Sequence, residues 1–112
     1  MIDGIYSITF RGSDDWGMGM LIFQNGTIVG VDAGGVEFDG QYHLGPTGVE
    51  VTATMTVPAG ATLVQGTKAQ PFPYEIPFTL MVPRSAFDNG QPVLLELPPG
   101  PVNVIFRRLR KL

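Results

Sequence analysis

The stretch Trp16 to Asp32, WGMGMLIFQNGTIVGVD, decides how the rest of the chain is read. Two apolar runs flank Asn25-Gly26. That dipeptide suits a type I′ turn, whose two central residues need positive φ, a conformation Asn and Gly adopt at least cost. Met18 to Phe23 before it and Thr27 to Val31 after it are rich in β-branched and long apolar residues, the composition of strands. The reading is an antiparallel hairpin. It sets the pattern for the chain: short strands, Gly-rich turns, no helical period.

Upstream, Asp3 to Phe10 reads as strand one, with Tyr6, Ile8 and Phe10 on the core face. Arg11 to Asp15, RGSDD, is a polar turn. In strand two Gly17 and Gly19 fall on one face and Met18, Met20 and Ile22 on the other. Paired glycines on one face mark a corner, where a strand bends or a neighbour comes close.

Downstream, strand three, Thr27 to Asp32, runs into Ala33-Gly34-Gly35. This is a turn rather than a phosphate loop, because the motif spacing and the following helix are both missing. Strand four is Val36 to His43, with a bulge expected at Gly40. After the Leu44 to Gly48 turn, strand five has the cleanest period of two. Val49, Val51, Ala53, Met55 and Val57 alternate with Glu50, Thr52, Thr54 and Thr56, giving one buried and one wet face. Long connections without structure are uncommon in compact domains, so Pro58 to Pro73 reads as holding a short strand at Ala61 to Val64 or as a mobile lid. Strand six is Tyr74 to Val82, where Pro77 points to an edge, a bulge or an unpaired amide. Pro83 to Gln91 is a loop with room for one helical turn and a stop at Asp88-Asn89-Gly90. Val93 to Leu97, a rigid turn at Pro98 to Pro101, and Val102 to Arg108 complete eight strands.

Eight short, locally joined strands predict an all-β, single-domain (1–112), antiparallel up-and-down barrel, since closure removes exposed edges. A two-sheet sandwich is the alternative. A barrel of eight strands either fills with side chains or holds one small ligand.

Composition narrows the chemistry. With no cysteine, disulfides, thiolate zinc sites and cysteine nucleophiles are excluded. MIDGIYSITF does not read as a signal peptide, and no apolar run approaches the ~20 residues of a membrane span, so a cytoplasmic location without membrane insertion is expected. Setting aside Arg107, Arg108, Arg110 and Lys111 leaves three basic against ten acidic residues, a body of net charge −7. Such a body repels nucleic acid, and the basic end reads as a solvated tail.

No catalytic arrangement emerges. His43 is the single histidine, and Ser7, Ser13 and Ser85 lie in no nucleophile elbow. Asp14-Asp15 sits at a polar tip, and no calcium-loop spacing is present. Asp32, Glu37 and Asp39 offer the one chance of converging carboxylates. No cofactor or metal is expected. The apolar bulk of Trp16, Met18, Met20, Met55, Phe72, Phe78, Met81 and Phe106 reads first as core. Its second reading is a ligand cavity lined by Met18, Met20, Met55, Phe78, Leu80 and Phe106.

DGIYSITF at Asp3 to Phe10, the G-x-G-x-L pattern at Gly17 to Leu21, the Asn25-Gly26 turn, Gly30, Asp32, and Gly40 within FDGQY together resemble the GrlR-type negative regulators of type III secretion. EIPFTLMVPRSAF, Glu75 to Phe87, is similar to that family's strand ending in Ile/Val-Pro before a short loop. The resemblance implies a calycin-like barrel, an apolar interior, a homodimer, and regulation by binding a protein partner, an activator of transcription, rather than catalysis. The family's acidic partner-recognition loop corresponds by order to LGPTG, Leu44 to Gly48, which has no acid. Leu44 and Thr47 are thus the partner-loop candidates, while the acidic residues themselves have no counterpart. The lipocalin G-x-W signature is also missing at Trp16. Two expectations follow: a regulatory barrel working by protein contact, and a small apolar-ligand or lipid carrier of lipocalin-like form.

Overall fold

A computed structural model describes residues 2–88 and 90–112; the expected stop at Asn89 lies outside them. Eight strands and one helical turn follow in order: β1 (Gly4–Arg11), β2 (Trp16–Gln24), β3 (Thr27–Asp32), β4 (Glu37–Leu44), β5 (Val49–Val57), β6 (Tyr74–Val82), α1 (Ser85–Asp88), β7 (Val93–Leu97) and β8 (Gly100–Lys111). They form one sheet of order β6-β5-β4-β3-β2-β1-β8-β7, antiparallel throughout. The sheet curls until its two end strands, β6 and β7, lie against each other. The protein is an all-β, nearly closed up-and-down barrel of calycin-like architecture, not a sandwich.

The hairpin at its centre has the expected turn. Asn25 has φ 54° and Gly26 φ 80°, the left-handed pair that a type I′ turn requires. Asp3, just before β1, reinforces it, since its Oδ2 accepts the Asn25 amide at 3.2 Å. Pro77 lies on an end strand of the sheet, where a missing N–H is tolerated.

Three expectations change. Gly40 makes no bulge: Ile28 and Ala53 face it in unbroken registers. It serves close approach instead, because a Cβ there would lie 2.5 Å from that of Ala53. The bulge falls between β1 and β8, where Ile5 faces Arg110 and Tyr6 faces Arg108, leaving Leu109 as the extra residue. Residues 61–64 form no strand, and β8 starts earlier than expected, at Gly100. Pro101 is tolerated there because β1 ends its pairing at Asn103, so on that side no ladder bond is lost.

The barrel has two different ends. At the base, Tyr6, Phe23, Phe87 and Phe106 form a plug of tilted and edge-to-face rings with centroids 4.9–6.4 Å apart. These are favourable aromatic geometries. Phe87 comes from α1, whose Ala86 and Phe87 are both buried. At the opposite end, Val36, Met55, Val57 and Leu63 form a smaller apolar cluster.

Candidate ligand cavity

Between these ends lies a cavity of about 440 Å³. Its space is created by small residues. On the inner face of β2 stand Gly17 and Gly19, and Phe10 reaches over the first of them. A Cβ at Gly17 would meet the Phe10 ring at 2.6 Å. Gly30 faces Leu21 and Phe38, and Ala53 faces Gly40 and Phe78. Each large side chain therefore leans over a small partner on the next strand. These pairings leave open space at the barrel centre.

The sequence candidates divide between inside and outside. Met55 and Phe106, each 4% exposed, form the wall together with Phe78 and Leu80. Met18 is 49% exposed and touches the cavity only at its mouth, beside Trp16 at 60%. Met20 is 45% exposed and is not part of the wall. The reason is parity. Gly17, Gly19, Leu21 and Phe23 point inward, so Met18, Met20 and Ile22 take the outer face. Phe72 and Met81 are also exposed. Leu44 and Thr47 are exposed at the base, at the far end from the mouth.

Residues of the segment read from sequence as a short strand or a lid complete the mouth. Thr62, Leu63, Val64 and Gln65 of the 58–73 segment line it. This segment is fastened across the top. The amides of Asp14 and Asp15 donate to the Val64 carbonyl at 3.0 and 3.2 Å, the Ser13 hydroxyl donates to the Gln65 carbonyl at 3.1 Å, and the Gln65 amide reaches the Gly100 carbonyl. Leu63 is buried against Val36, Met55 and Val57. A lone Leu-Val pair in a polar stretch was the signal available in the sequence.

Asp32 also lines the cavity. Its Oδ1 accepts the amides of Gly34 at 2.9 Å and Val36 at 3.0 Å, an arrangement that fixes the β3–β4 turn. Burial pushes its carboxyl above the ordinary value, and the amide bonds partly offset this. Glu37 and Asp39 do not join it, because they occupy the exposed face of β4. Among the described residues no group of three or more His, Asp or Glu is placed to hold a metal ion, and no helix is long and apolar enough to cross a membrane. His43 is exposed at the base.

No protein-family model, no curated protein and no solved structure matches the chain.

Proposed function

We propose that the protein is a non-enzymatic carrier or sensor of a small apolar ligand, held inside the barrel. One observation carries the reading: the apolar interior space of about 440 Å³, which opens at one end and is sealed at the other by aromatic rings. Ligand pockets commonly fall in the range of about 300–1,000 Å³. A tightly packed eight-stranded barrel would leave no such space. Native mass spectrometry of the purified chain, paired with titration of the neutral dye Nile red, tests the reading. The expected result is saturable dye uptake near one per chain, or an apolar mass that travels with the protein. A chain that takes up no dye and carries no extra mass overturns it.

A second reading has its own support. It is the GrlR-like regulator, a homodimer that sequesters a transcriptional activator or similar protein. Met20 lies beside Val31, and Ile22 beside Val29, on the outer face of β2 and β3. Met18, Met20, Val29 and Val31 are all exposed there. A connected apolar patch of this kind is a common mark of a protein interface. Sedimentation of the wild type and of Met20→Asp tests it: a dimer that the substitution dissociates favours the regulator, and a monomer at every concentration counts against it.

A further inference from the structure

Resting on the carrier reading above, we infer that the cavity selects amphiphiles whose head is uncharged or cationic and discriminates against a carboxylate head. The charged groups in the wall are Asp15 and Asp32, both at the mouth. Among the described lining residues there is no Lys, Arg or His. Two cations lie toward this end, Arg11 and Lys68. Both are exposed, and neither forms part of the wall. The other basic residues belong to β8 and to Arg84, and Arg84 reaches the Gly45 carbonyl at the base.

The two mouth carboxylates are held in place. Asp32 is pinned by the Gly34 and Val36 amides, and Asp15 accepts the Trp16 amide at 2.8 Å. An apolar chain filling the interior therefore leaves its head beside fixed acceptors. A hydroxyl or amide head can donate to them, and an ammonium head gains charge pairing. A carboxylate head meets like charge at exposed Asp15 and at half-buried Asp32, and beside Asp32 screening by water is weaker. The aromatic plug blocks the alternative of an inverted ligand with its head at the basic base.

The experiment displaces Nile red from the full chain near neutral pH with dodecanol, dodecylamine and dodecanoate, each below its solubility or micelle limit. The expected order places dodecanoate roughly tenfold or more behind the other two. Asp15→Asn with Asp32→Asn should narrow that gap, since the amide oxygens keep the turn contacts. Asp15→Asn alone is the fallback if the double variant does not fold. Dodecanoate displacing as well as the neutral chain overturns the head-group inference and leaves the carrier reading standing. A gap that persists unchanged in the Asn variants also overturns it. If Nile red is not taken up and no apolar mass travels with the chain, the carrier reading itself fails.

Discussion

Ala53→Leu tests whether the barrel interior is hollow. Ala53 lines the cavity on β5, with Gly40 on one side and Phe78 on the other. Gly40 lies so close on the neighbouring strand that a Cβ there would come within 2.5 Å of the Ala53 Cβ, so added atoms extend toward the barrel axis. Leucine brings three more carbons. At about 0.8 kcal/mol for each buried methylene, the gain reaches about 2.4 kcal/mol. Fixing the new side chain costs about 0.5–1 kcal/mol. The net expectation is about 1.5 kcal/mol of added stability, or roughly 6 °C in Tm for a domain of this size. Nile red uptake should fall in parallel, because the same space is used. Thermal unfolding by circular dichroism and dye titration on the same samples supply the readout. A fully packed interior gives the opposite pattern. The leucine would then be overpacked, at a cost of about 1–3 kcal/mol. A lowered Tm with undiminished dye uptake would refute the reasoning.

Truncating the two methionines on opposite faces should separate inner from outer positions: Met55→Ala should cost about 2–4 kcal/mol and Met20→Ala less than about 0.5 kcal/mol, measured by urea unfolding. The Tyr74 hydroxyl is buried without a hydrogen-bond partner among the described residues. Tyr74→Phe removes its desolvation penalty and should raise stability by about 1 kcal/mol; a lower Tm would show that the hydroxyl is satisfied. Asp3 gives a pH signature. Its carboxyl is held below the ordinary value of 3.8, first by the Tyr42 hydroxyl and then by the Asn25 amide. A depressed folded value means the contribution is complete above 3.8 and fades as pH falls through the lower value. Tyr42→Phe should therefore lower stability at neutral pH, by about 1 kcal/mol once solvent screening is allowed for. The difference from wild type should shrink in acid, and a difference independent of pH would exclude the linkage.

What the sequence determined by itself is mostly local. The Asn25-Gly26 turn, the alternation of Val49 to Val57 and the punctuation by Gly and Pro placed all eight strands and their antiparallel order. Turn chemistry and a period of two act over a few residues, so they can be read from a few residues. The contents of the barrel were legible only in part. On β6 and β8 a polar or charged residue alternates with an apolar one over much of the strand, and Phe78, Leu80 and Phe106 line the interior. On β2 both faces are apolar. Period alone separates Gly17 and Gly19 from Met18 and Met20 but cannot say which pair points inward. Hydropathy favours the methionines, yet the structure sets them outside.

The deciding information is held by other strands. Phe10 on β1 covers Gly17 and faces it across the ladder, Phe38 on β4 faces Gly30, and Phe78 on β6 faces Ala53. These large side chains need small partners, and the curled sheet needs backbone close to backbone at Gly19 and Gly40. Only after the chain closes do these pairs meet. The hairpin from Trp16 to Asp32 thus announces the fold in sequence, while its inner face, and with it the cavity, is settled by residues brought to it from the rest of the barrel.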